Sequence, residues 1–161
     1  MNPLKYVVIL AGLVILMDSI VKKKLYTYPL KRVPQMRNDT QGQGSFGAIR
    51  SGHKHQGIDL VCSPGEAVFS PVDGVVTRKF FVYSGDTNFM GCEIQGDDGE
   101  AFKLMYVSPI ASLIGKRVKA GQQIATAQDI SKKWGASMIP HVHLEMRVNG
   151  VLKDPTPFFL A

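Results

Sequence analysis

The stretch "HVHLEMR", residues 141–147, places His141 and His143 one residue apart. The other two histidines, His53 and His55, lie in "GHKHQGIDL". All 4 histidines of the chain therefore fall in two tight pairs. Imidazole changes charge near neutral pH and is the commonest metal ligand. On a strand, residues i and i+2 project to one side, so His141 and His143 point off the same face and Val142 off the other. His55 and Asp59, four apart in "HQGID", also share a face on extended chain, and Gly57 between them permits a bend or close packing. His55, Asp59 and one of His141 and His143 make two nitrogens and one carboxylate oxygen. Three protein ligands with one open position are a catalytic zinc set. Such a site lowers the pKa of a water to about 7 and polarises a carbonyl. The remaining histidine of the HxH pair would stand beside the metal, to take a proton or stabilise an oxyanion. Purely structural histidines can show the same spacing, so the residues alone leave both readings open.

The elements that must position these residues read as strands. "EAVFSPVDGVVTRKF" gives Ala67–Phe69, an Asp73-Gly74 turn, and Val75-Val76, the pattern of a hairpin. "GCEIQGDDGEAFKLMYV" gives Cys92–Gln95, a turn over 96–99 and a strand over Ala101–Val107. "GKRVKAGQQIATAQ" turns at Ala120-Gly121. "PHVHLEMRVNGVLKDP" is a strand, an Asn149-Gly150 turn and a return strand, with Pro140 tolerated at the strand's start. No window of the domain carries a helical stripe; "SPIASLIG" has room for one short turn of helix. The expectation is an all-β domain over 45–161, one main antiparallel sheet with smaller strands folded over it.

The rest of the chain bounds the function. At 161 residues it is long enough for one domain with a core. Its net charge of +6 suits an anionic envelope or simply aids solubility. There is no RNA-module aromatic signature, no basic recognition helix and no P-loop, so nucleic acid is not an expected partner. Two cysteines, Cys62 and Cys92, make no disulfide framework and no CxxC; they form one bridge or stay as buried thiols. Tyr6 to Met17 is an apolar run of 12 residues. With Pro3–Val21 as the full span and Lys22–Lys24 as a basic flank, residues 1–24 read as one N-terminal transmembrane helix, since no small-x-small cleavage site follows. The basic residues after the span favour a cytoplasmic domain by the positive-inside rule, against the extracytoplasmic placement that follows below. Residues 25–44, with two prolines and no period, read as a tether or an extended arm laid on the domain.

"FGAIRSGHKHQGIDL", "GEAVFSPVDGVV", "GKRVKAGQQIA" and "PHVHLEMRVNG" together resemble the lysostaphin-type (LytM-like) zinc endopeptidase family over roughly residues 45–160. The resemblance implies a duplicated hybrid motif-like antiparallel β domain that binds Zn2+ through His55, Asp59 and His143. It implies His141 as the catalytic histidine and bacterial cell-wall peptides as the substrate. His53 matches no family position and reads as a rim residue. One departure stands out: the family's second catalytic histidine, two residues after a tyrosine, is Ser108 in "LMYVSPI", with Tyr106 nearby. "HQGIDLVCSPGEAVFSPVDGVV" and "KLMYVSPI" are also similar to the leukocyte cell-derived chemotaxins, secreted zinc-binding relatives that lack that histidine and are regarded as signalling proteins without peptidase activity. The expectation is a membrane-anchored zinc endopeptidase acting on peptidoglycan peptides, with its domain facing the envelope, the periplasm or a virion membrane. The alternatives are a zinc-bound recognition module and a structural subunit with protein partners in an envelope or virion assembly.

Overall fold

Alternation of apolar and polar residues, with glycine at the turns, gives this chain strands nearly throughout. A computed structural model of the protein describes residues 6–10, 13–17 and 26–159, the first two stretches as backbone alone. In chain order the strands are β1 Tyr6–Leu10, β2 Leu13–Met17, β3 Asn38–Asp39, β4 Gly42–Gln43, β5 Ile49–Arg50, β6 His53–Lys54, β7 Ile58–Val61 and β8 Ala67–Phe69. They continue as β9 Gly74–Tyr83, β10 Asp86–Gly96, β11 Glu100–Met105, β12 Val107–Pro109, β13 Arg117–Val118, β14 Gln123–Ala127, β15 His141–Val148 and β16 Val151–Lys153. Described helices are short: a 3-10 turn at Ala111–Leu113, α1 Ser131–Trp134 and α2 Thr156–Phe159.

The main antiparallel sheet runs β13-β9-β10-β11-β15-β16, and β7 pairs with the first half of β15 on the edge that β16 uses further along. A second sheet, β12-β14-β8, folds over it. Val142, Leu144 and Met146 of β15 and Phe102 and Leu104 of β11 point into the core and are fully buried. Each such side chain contributes about 1.5–3 kcal/mol by leaving water. The alternate residues, His141, His143 and Glu145, with Met105 from β11, face the other side of the sheet, where the site forms. The expected Asn149-Gly150 turn joins β15 to β16, with φ of 49° and 78° at the two residues.

Three expectations change, the N-terminal helix, the two hairpins and the single strand over 101–107, and the arm is the second of the two alternatives offered for the segment before the domain. Tyr6–Leu10 and Leu13–Met17 pair as antiparallel strands rather than lying in one helix over 3–21. Tyrosine, valine and isoleucine make up four of the five residues of the first segment and two of the five of the second, and these residues favour strands. The remainder of that span lies outside the described residues, and no described helix is long and apolar enough to cross a membrane. The stretches 67–76 and 117–127 are not hairpins: in each, the first strand belongs to one sheet and the second to the other. Their corners bond to each other instead, Ser70 N–H to the Gln122 carbonyl at 2.9 Å and Gly121 N–H to the Ser70 carbonyl at 2.8 Å. The strand expected over 101–107 breaks at Tyr106, whose φ is 62°. That left-handed turn, costing roughly 1–2 kcal/mol for a residue with a Cβ, moves the chain from the main sheet to the second one. Tyr106 and Ser108 therefore do not share a strand face. Residues 26–44 form an integral arm: Leu30 is buried in the core, Tyr26 packs edge-on against Phe102 with ring centroids 5.1 Å apart, and Met36 bridges to Leu60.

Candidate metal centre

Strand register builds the centre. His143 on β15 is the cross-strand partner of Asp59 on β7 and, on its other side, of Met105 on β11. His55 follows the β5–β6 hairpin and is held by two backbone bonds to Ala48 and Gly47, each 2.8 Å. Gly57 allows the chain to run tight against β15. A Cβ there would stand 2.3 Å from the Leu144 carbonyl oxygen and 2.9 Å from His143 Cε1.

Three donor atoms converge. His143 Nδ1 lies 2.9 Å from Asp59 Oδ1 and 2.9 Å from His55 Nε2, and His55 Nε2 lies 3.1 Å from Asp59 Oδ1. Tetrahedral zinc with bonds of about 2.0–2.1 Å sets its ligand atoms roughly 3.3 Å apart. The triangle fits such an ion with a few tenths of an ångström of opening, and all three residues are buried. The outer contacts suit ligation as well. His55 Nδ1–H donates to the Ser45 carbonyl at 2.8 Å, which leaves Nε2 with its lone pair. His143 Nε2 faces Glu145 Oε1 at 3.5 Å. The second Asp59 oxygen, Oδ2, receives Arg37 at 3.1 Å and Arg50 at 3.4 Å.

His141 stands beside this triangle, its Nε2 3.8 Å from Asp59 Oδ1. Its Nδ1–H donates to the Ile139 carbonyl at 2.7 Å, so Nε2 is the free basic nitrogen. Burial pushes its pKa below the usual histidine value, more than the Asp59 charge and the Ile139 bond raise it. It is neutral and able to accept a proton at pH 7. Burial also opposes ionisation of Asp59, but the bond from His143 Nδ1 and the neighbouring His55 and His141 hold its carboxyl well below the usual range. For His143, burial works against protonation, and Asp59 and Glu145 outweigh it, so the pKa rises. The proton so attracted to Nδ1 occupies the place a cation would take.

A cleft of about 650 Å³ opens over these residues. One wall is aromatic. Tyr106 meets His141 edge-on with ring centroids 5.3 Å apart, and the Tyr106 and Tyr83 hydroxyls are 3.1 Å apart. Trp134 Nε1–H donates to the Tyr83 hydroxyl at 3.1 Å, and Trp134 itself is 50% exposed. The exposed His53 is also among the residues lining the cleft. Ser108 is not among the lining residues; its backbone pairs with Thr126 in the second sheet. Tyr106 reaches the site and Ser108 does not line it. Arg37, Tyr83 and Trp134 have no spacing that singles them out in the sequence; only the fold brings them to the cleft. Glu145 follows His143 by two residues on the same strand face, a spacing the sequence does show.

Residues 53–155 match peptidase family M23. The chain belongs to that family. Leukocyte cell-derived chemotaxin-2 of Bos taurus is 30% identical over 121 residues, covering 74% of this chain and 76% of that protein. Peptidoglycan DD-endopeptidase ShyC of Vibrio cholerae is 29% identical over 139 residues, covering 84% of this chain and 29% of that one. The solved catalytic domain of the antimicrobial peptidase lysostaphin from Staphylococcus simulans aligns with a TM-score of 0.57 at 26% identity, covering 73% of this chain and 90% of the domain. The chain spans 26–35% of the length of three longer curated relatives. All four predicted site residues fall inside the M23 match, whereas Arg37 and Asp39 precede it.

Proposed function

We propose that this M23 protein is a zinc-dependent endopeptidase that cleaves peptide cross-links or stems of peptidoglycan. The observation that carries the reading is the donor triangle of His55, Asp59 and His143 with the free Nε2 of His141 beside it, at the floor of an open cleft. The peptidoglycan endopeptidase and lysostaphin among its relatives support the substrate class. Zinc held by the three ligands would supply Lewis-acid polarisation of the scissile carbonyl and a water acidified to a pKa of about 7. His141 Nε2 takes the proton of the attacking water and returns it to the leaving amine. Tyr106 packs edge-on against His141, which would limit rotation of that ring. We also assign membrane attachment to the apolar span over 3–21, with the domain in the cell envelope.

Incubating zinc-loaded protein with purified peptidoglycan tests this reading. New peptide termini should appear, stop with a chelator, and be absent for His141→Ala. An intact muropeptide profile with the zinc-loaded wild type would overturn the enzyme reading. Attachment is tested by fractionation of cells expressing the full chain and a version lacking 1–24; equal solubility of both would remove the anchor. A second reading, a zinc-bound recognition module, has one observation in its favour: no histidine stands at position 108. Ser108→His separates the two. A gain in turnover would show that the missing imidazole limits a working enzyme, and binding without cleavage by either form would favour recognition.

A further inference from the structure

We infer that Arg37 and Asp39 are positioning residues that join the metal-binding carboxylate to the histidine base through one hydrogen-bonded relay. The inference rests on the zinc reading of the centre. Both residues lie on the arm, outside the stretch that matches the family. Backbone bonds first fix the arm to Asp59: Arg37 N–H donates to the Asp59 carbonyl at 2.8 Å, and Asp59 N–H donates to the Gly44 carbonyl at 2.8 Å. The Arg37 side chain is 3% exposed. Its Nε and Nη2 each reach Asp59 Oδ2 at 3.1 Å, which leaves Oδ1 as the oxygen facing His55 and His143. Its Nη1 reaches Asp39 Oδ1 at 2.6 Å. The other Asp39 oxygen accepts the Ile139 N–H at 2.9 Å, and the Ile139 carbonyl accepts His141 Nδ1–H at 2.7 Å.

The path is thus Asp59, Arg37, Asp39, Ile139, His141. At one end it fixes which carboxylate oxygen meets the metal; at the other it fixes the loop whose carbonyl sets the tautomer of His141. Charge-assisted bonds of this kind are short and directional, and outer-shell partners of metal ligands are worth about 10–100-fold in affinity or activity. An asparagine at 39 cannot serve the relay as aspartate does. Its amide nitrogen donates, so it fails to accept either from Arg37 or from Ile139.

Full-length wild type, R37Q, R37K and D39N test the relay. The readouts are zinc affinity by chelator competition, His141 ring nitrogen shifts by NMR, and kcat and KM on a peptidoglycan peptide. R37Q should bind zinc about 10–100-fold more weakly. R37K, a point donor that cannot span both carboxylates, should be about 10-fold weaker than wild type. D39N should keep zinc affinity within about 3-fold, lose the single Nδ1–H signature of His141, and lower kcat about 10-fold with KM unchanged. A merely structural role would move affinity, kcat and KM together. Wild-type zinc affinity in R37Q, or in R37K where R37Q fails to fold, overturns the carboxylate half. Wild-type His141 shifts in D39N overturn the histidine half. If wild type cleaves nothing, the enzyme reading fails, yet the zinc affinities and shifts still decide the relay.

Discussion

His143 Nδ1 lies 2.9 Å from Asp59 Oδ1 because the two residues are partners across β15 and β7. The metal centre is therefore pinned to sheet register, and a bound ion would staple two strands and the His55 loop together. The protein should bind one equivalent of zinc. At zinc about 100-fold above Kd the gain is roughly 2.7 kcal/mol, so chelation should lower Tm by about 5–10 °C in a chain of this size. Calorimetry with and without chelator measures this, and in His143→Ala the chelator should move Tm no further.

The same contact sets a pH dependence. His143 titrates above its ordinary value in the metal-free centre because Asp59 and Glu145 outweigh burial. That contribution to metal-free stability is complete below the unfolded pKa of about 6.5 and is lost as pH rises through the folded value. Protons also compete with zinc at Nδ1. Asp59, held well below the carboxylate range, stays charged throughout. The gap in Tm between zinc-loaded and metal-free protein should shrink between pH 8 and pH 6. A gap that widens on acidification would contradict this assignment.

His141 is asked to move protons rather than to hold the metal. His141→Ala should retain zinc within about 2-fold while peptide hydrolysis falls by about 10²–10⁴. Metal analysis beside the turnover assay checks both halves; loss of the zinc would place His141 among the ligands.

Gly57→Ala should be among the most damaging single changes away from the ligands. Its Cβ would enter the backbone of Leu144 at 2.3 Å and press on the His143 ring. Overpacking against backbone should cost about 3 kcal/mol and weaken zinc. Urea unfolding reports the first effect and chelator competition the second.

Cys62 and Cys92 are both buried free thiols, and burial pushes each pKa up to about 12. A thiol reagent at pH 8 should leave the native protein unlabelled and modify both after denaturation. Fast labelling of either in the native state would mean that the core around it opens.

The sequence carries the centre well because its signals are local. HxH on a strand and HxxxD on extended chain each place two groups on one side, and the fold brings the two pairs together. It carries the sheet connections poorly. Around Asp73-Gly74 and Ala120-Gly121, strand–turn–strand patterns look like hairpins, yet their strands pair with partners far along the chain. Tyr106 looks like one more strand residue, and only its φ of 62° shows that the chain changes sheets there. Arg37 was legible as a charge, not as a partner of Asp59, because no spacing rule ties residue 37 to residue 59.

The packing of the arm also bears on how the protein can be processed. Tyr26 and Leu30 rest in the core, and Arg37 and Asp39 follow within the same segment. A protease that freed the domain from its apolar start would leave the centre intact only by cutting before Tyr26. A nick between Leu30 and Gln43 would unhook the carboxylate it relies on. A cut before Tyr26 and a cut within the arm, a few peptide bonds apart, would thus have opposite consequences for the centre.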